Sequence, residues 1–361
     1  MNTRRLIGLA LAALLVAAAA VWVSSRNGPE RPAAAQAPVL ASLGDAIDAV
    51  NEVRLTRGDA SQTTLQRRAN GWFVAQRNYR ADPRKLRALL IGLSSLRAIE
   101  QKTSDPARYP MLEVEDAAGA QARSVRIDVV AGARTWSLLL GKAAEPDGCF
   151  VRVAGAPAAL LARPRIDADP QPTHWIDPEL LDVAAGRVQQ VAVRPAEGAP
   201  YSLVRERRDG ADLTLRGIPP GRKPAAAAVL DAVAGALARL SAQDVRPSTA
   251  GELRHASRAS FRTFEGLRVD LQGDREGSEA WIRISANVDP KPSPSAKEGS
   301  AKPAPDVAAE AAAINERVRD FDFQVPVYQY DQIYRQLRDL LAPPADSKIT
   351  AATRRYKQES K

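Results

Sequence analysis

The chain has 361 residues, of which 45% are hydrophobic and 26% charged, with a formal net charge of +9. That length and balance suit two domains with real cores, and an aromatic share of only 5% makes those cores mostly Ala, Leu and Val. A single cysteine, Cys149, excludes a disulfide within the chain, and two distant histidines, His174 and His255, argue against a catalytic metal site, so no metal and no cofactor is expected.

The first element is an uncharged run from Leu6 to Val23, preceded by Arg4 and Arg5 and carrying Trp22 near its far end. At about 1.5 Å of rise per residue, such a run roughly matches a ~30 Å hydrocarbon core. Residues 1–26 are therefore expected to form a membrane anchor, and 27–41, "NGPERPAAAQAPVLA", a Pro/Ala-rich tether. The competing reading is a cleaved signal peptide with Ala35-Gln36-Ala37 as its site, but that site lies far beyond an apolar run already long for a signal core. No cysteine directly follows the run, the only one being Cys149 deep in the chain, so a lipoprotein is excluded. The expected location is the inner membrane, single-pass, with the bulk of the chain periplasmic. The positive charge then points to lipid headgroups or an acidic protein rather than to nucleic acid, and most of it reads as solvated surface.

A first α+β unit is expected over 42–182. Val53-Arg54-Leu55 and Thr64–Arg68 alternate as strands do, and Asn70-Gly71 is a hairpin signal before Trp72–Ala75. Asp82 then suits an N-cap and Pro83 a first helical position. Leu86, Leu89, Leu90, Leu93 and Leu96 recur at helical spacing and make one apolar stripe. The stretch from Arg77 to Arg87 is strongly basic: Arg77, Arg80, Arg84, Lys85 and Arg87 face a single acid, Asp82. It is a candidate interaction surface, although the spacing that builds the helix also turns Arg84, Lys85 and Arg87 toward water. Further strands are expected at 124–130, 136–142 and 149–155.

A second unit is expected over 183–342, related to the first by duplication. Val125–Val129 resembles Leu267–Leu271 at a shift of 142, and Leu89, Leu90 and Leu93 fall on Val229, Leu230 and Val233 at a shift of 140. Pro83 falls on Pro224, Leu65 on Leu203 and Trp136 on Trp281, in the same order. Residues 289–306, rich in Pro, Ser and Lys, read as a disordered insert. Phe321 to Val327 alternates, Ile333, Leu337, Leu340 and Leu341 keep helical spacing, and 343–361 reads as a basic flexible tail. The fold class expected is α+β, two β-meander-plus-helix units behind a transmembrane helix.

"GWFV" at 71–74, "YRADPRKLRALL" at 79–90, "EQKT" at 100–103, Tyr109, "LEVED" at 112–116, "LGK" at 140–142, "FVRV" at 150–153 and Trp175 together resemble a bacterial family designated domain of unknown function 4340. The resemblance covers most of the first half and is weaker in the second. It departs at Glu113, where many relatives have Gly. It implies an envelope protein with an N-terminal span, often encoded beside ABC-2-type exporter components, and it transfers no catalytic residue.

The chemistry searched for is sparse. Gly141-Lys142 is followed by Ala143 and lacks the glycines of a phosphate loop. His174 and Asp177 in "THWIDP" have no serine in a nucleophile-elbow context. Asp177-Pro178 is expected instead to cap a short helix, "PELLDV". Glu113, Glu115 and Asp116 are a carboxylate cluster, expected to pair with nearby arginines in a turn. The reading is thus a non-enzymatic, membrane-anchored periplasmic auxiliary or scaffold protein, with ABC-type permease or ATPase subunits as partners. The alternatives are a substrate-binding module with a cleft between its units, and an envelope-polymer hydrolase.

Overall fold

A computed structural model describes residues 37–208, 213–249, 253, 256–289 and 306–343. The expected anchor, most of the tether and insert, the tail beyond 343 and His255 lie outside the described residues. No helix among the described residues is long and apolar enough to cross a membrane.

The class is α+β, with antiparallel strand pairing and few helices. In chain order the first half holds β1 (Glu52–Arg57), β2 (Gln62–Arg68), β3 (Gly71–Val74), β4 (Tyr79–Arg80), α1 (Pro83–Ser95), β5 (Arg97–Thr103), β6 (Val125–Ala131), β7 (Arg134–Ala144), β8 (Gly148–Val153) and β9 (Ala159–Arg163). The second half begins with β10 (Glu179–Leu181), β11 (Val188–Arg194), β12 (Tyr201–Val204), β13 (Thr214–Arg216) and α2 (Ala227–Ala234). It continues with β14 (Leu240–Ser241), β15 (Asp244–Pro247), β16 (Ser257–Thr263), β17 (Leu267–Glu276), β18 (Glu279–Val288), α3 (Val307–Val318), β19 (Phe321–Val325) and α4 (Val327–Ile333).

Contacts group these elements into two compact units. One holds the described residues up to Ser61 together with Arg87–Asp169; the other holds Gln62–Leu86 and the chain from Pro170 onward. The continuous division expected at 42–182 and 183–342 differs from this grouping for a packing reason. Tyr79, 1% exposed, sets its ring edge-on to Phe321 and Phe323 at 5.2 and 5.5 Å between centroids, so 62–86 packs with C-terminal strands.

In the first unit, six strands run in the order β1-β6-β7-β8-β9-β5. Alternation works as expected: Val53 pairs with Val129 and Leu55 with Ile127, and all four are buried. The part of the α1 stripe that belongs to this unit is likewise buried at Leu89 and Leu93, whereas Leu90 is only half-buried. In the second unit, eight strands run β13-β12-β11-β16-β17-β18-β19-β15. Its core includes Phe261, Leu271, Ile282, Ile284 and Phe323 from the strands and Leu230, Val233, Ile314, Val318 and Ile333 from the helices. Asn315 of α3 extends the sheet by side chain: its amide donates to Ala286 O at 2.6 Å and accepts from Ala286 N at 2.9 Å.

Three local expectations are corrected. "PELLDV" is not a helix: Glu179–Leu181 forms β10, paired with β14, which buries both Leu180 and Leu181. Phe321–Val327 is not one strand, because Pro326 ends β19 and Val327 opens α4. Val125–Val129 lies in β6, the strand beside β1, whereas Leu267–Leu271 lies in β17, two strands from β11, so those segments are not structural counterparts.

Candidate functional site

The basic stretch is held at its centre and open at its helical end. Asp82 is buried and does three things there. Its backbone N–H donates to Trp175 O at 2.8 Å, and its carboxylate accepts from the backbone N–H of Arg84 at 2.8 Å and of Lys85 at 3.4 Å. That carboxylate offsets an unfavourable feature of α1, whose first turn carries Arg84 and Lys85 where the helix dipole favours acids.

The five basic residues separate by role. Arg77 makes a bidentate pair with Asp244, at 2.6 and 3.0 Å. Arg80 is half-buried in β4, and its carbonyl accepts from Asp177 N at 2.8 Å. Lys85 Nζ donates to His174 O at 2.7 Å. Arg84 and Arg87 are exposed. The stretch is therefore a structural clamp at Arg77–Asp82 and a solvated basic helix face at Arg84, Lys85 and Arg87.

The carboxylate cluster resolves into arginine partners. Asp116 meets Arg152 at 2.6 Å, and Glu113 meets Arg123 at 3.2 Å. Glu115 accepts from Arg123 N at 2.6 Å. Arg152 is itself buried, donates to Val114 O at 2.9 Å, and lies 4.4 Å above the Tyr109 ring. Glu113 closes the turn Tyr109–Leu112 with φ of 58°, a left-handed conformation in which Gly is easiest. His174 lies in the turn Pro172–Trp175, its ring 5.2 Å from that of Trp175. Burial raises the Asp177 carboxyl above its ordinary value, with Asp82 and Glu179 adding to the effect and Arg317 opposing it.

The residue reading missed two concavities of the second unit. One, of about 830 Å³, is lined by Asp274, Arg275, Tyr330, Asp331 and Tyr334 among others. The other, of about 750 Å³, lies on the eight-stranded sheet between residues of β11, β12, β13, β16, β17 and β18. Its arginines, Arg194, Arg216 and Arg258, sit in three separate strands and form no local motif, so only the strand register brings them together.

Fold and site define a class first: an α+β protein of large antiparallel sheets whose candidate groups pair with one another. The family described as Domain of unknown function (DUF4340) matches residues 72–257, just over half of the chain, and the chain belongs to that family. No curated protein and no solved structure matches it.

Proposed function

We propose that the chain is a non-enzymatic scaffold: a single-pass inner-membrane protein whose periplasmic part serves an ABC-type export or envelope-assembly system. One observation carries the reading. In the basic stretch and the carboxylate cluster, Asp82, Asp116 with Arg152 and Arg77 with Asp244 are tied into pairs and caps, while Arg84, Lys85 and Arg87 are exposed on the helix. Pairs of that kind position surfaces rather than move protons. The apolar run Leu6–Val23 supports the anchor.

The body of the scaffold is a duplicated unit. Its support is topological: β1-β6-β7-β8-β9-β5 and β11-β16-β17-β18-β19-β15 follow one path when each strand number advances by ten. Helices α1 and α2 occupy the same place in that path, and Leu89 and Val229 lie in them.

The test is to tag the intact protein, extract it from membranes in mild detergent and identify what accompanies it. Co-purification of a permease or ATPase chain in fixed proportion is expected. Recovery from the soluble fraction, without companions, would overturn the proposal.

A further inference from the structure

The concavity of about 750 Å³ on the eight-stranded sheet has a floor and a rim of different chemistry. The floor is a row of short side chains, mostly polar, crossing the strands. Ser202 pairs with Ala192, Ala192 with Ser260, Ser260 with Asp270 and Asp270 with Ser285. Short side chains in one row, beside long ones in the next, make a valley in an otherwise even sheet face. The rim carries Arg194, Arg216 and Arg258, and Gln272 continues the row of Arg194 and Arg258.

Register makes the rim unusual. Arg194 and Arg258 are direct cross-strand partners, so their Cα atoms are roughly 5 Å apart. Like charges directly opposite one another destabilise a sheet. The other arginines of this face are neutralised: Arg262 by Asp289 at 3.4 Å, Arg268 by Asp270 at 3.0 Å and Arg283 by Asp322 at 2.7 Å. Arg194, Arg216 and Arg258 have no hydrogen-bond or ion-pair partner among the described residues, and all three are exposed. The one carboxylate of the floor, Asp270, is already engaged. It accepts from Ser260 Oγ at 2.7 Å, Arg268 Nε at 3.0 Å and Asn287 Nδ2 at 3.3 Å.

We infer that this valley binds a small anionic, hydroxyl-bearing molecule: one phosphate or carboxylate held between Arg194 and Arg258, with Arg216 closing from the third side. Guanidinium forks match both anions in planar, bidentate geometry. The hydroxyls of Ser202 and Ser285 and the amide of Gln272 offer donors and acceptors to the remainder of the ligand. The volume lies within the range of small-molecule sites. The shared ligand chemistry is that of a sugar phosphate or a sugar acid. The inference is independent of the scaffold reading, since it concerns one face of one sheet.

The test uses the full-length chain in detergent and calorimetric titration with glucose 6-phosphate, glucuronate, inorganic phosphate and neutral glucose. One of the two acidic sugars is expected to bind more tightly than phosphate, with glucose undetectable and affinity falling as salt rises. The tighter of the two identifies the anion source. The pair Arg194→Gln and Arg258→Gln is expected to weaken that binding at least tenfold. Its melting temperature should equal or exceed that of the parent, because it removes a like-charge contact, so loss of binding will not be confused with unfolding. Binding by neither acidic sugar overturns the inference, as does binding that the double substitution leaves unchanged. Phosphate binding as tightly as both sugars overturns the hydroxyl part.

Discussion

The guanidinium of Arg77 grips the carboxylate of Asp244 through two hydrogen bonds, 2.6 and 3.0 Å long, across 167 positions of sequence. Both side chains keep some exposure, 30% and 20%, so water screens the pair in part. The bidentate geometry still makes it worth more than a loose surface contact. Arg77→Ala and Asp244→Ala are each expected to cost about 1–2 kcal/mol, most of it as a shared coupling term. A double-mutant cycle from urea unfolding reads that term directly. Additive effects would show that the two residues act separately.

The sequence made the near end of that pair legible and hid the far end. Asp82, Pro83 and the leucine stripe announce α1, because a helix writes its cap and its buried face within one turn of itself. The alternation at Val53–Leu55 and Val125–Val129 likewise announces half-buried strands. Asp244 gives no local sign that its partner is Arg77, and the exposed edge strand β5 shows little of the alternation that would mark it. α3 carries local signs as well, Asp306 accepting at its cap and an alanine-rich run behind it, although no sequence-based expectation covers 307–318. The rim of the sheet valley was not readable, since Arg194, Arg216 and Arg258 meet only through strand register.

Cys149 is buried and its Sγ lies 3.7 Å from Pro164 O. Burial raises its thiol above the ordinary value, so at neutral pH the nucleophilic thiolate is scarce as well as inaccessible. Labelling by a thiol reagent is expected to be slow in the native protein and complete within minutes in denaturant. Rapid stoichiometric labelling of the native form would contradict this burial.

Asn315 completes hydrogen bonding at Ala286 that no strand supplies, since β19 pairs with β18 only over Ala280–Arg283. Asn315→Leu would leave a backbone donor and acceptor without that partner, at an expected cost of about 2–4 kcal/mol for the two groups. Hydrogen exchange should show the Ala286 amide losing protection by more than its strand neighbours. Uniform protection across β18 would refute the latch.

Asp177 supplies a pH test. Its folded-state carboxyl is raised mainly by burial, so its contribution favours the folded state below the unfolded value, near 3.9, and is lost as pH rises through the raised folded value. At neutral pH the ionised form is therefore a liability. Asp177→Asn keeps an oxygen to accept from Glu179 N, now 3.2 Å away, and removes the charge. The variant is expected to melt above the parent at pH 7 and level with it near pH 3. A variant that melts lower at pH 7 would show that the charge is needed, and Arg317 would then be the group to examine.

Gly273 of β17 lies against Tyr330 of α4 and Tyr334 just beyond that helix. A Cβ at this position would strike Cε2 and Cζ of Tyr334 and approach Cε2 of Tyr330 to 2.8 Å. Neither ring can easily retreat. Tyr330 and Tyr334 are both buried, lie 4.7 Å apart between centroids, and Tyr330 donates its hydroxyl to Gly273 O at 3.2 Å. Gly273→Ala therefore inserts one methyl into a filled space, for which overpacking costs typically about 1–3 kcal/mol. That cost should appear as a lower urea midpoint with an unchanged slope. Pairing it with Tyr334→Leu, which removes the ring atoms it strikes, should recover stability relative to Tyr334→Leu alone. The two changes would then be non-additive with a favourable sign. If Gly273→Ala costs as much in the Tyr334→Leu background as in the parent, the ring is not what requires glycine there.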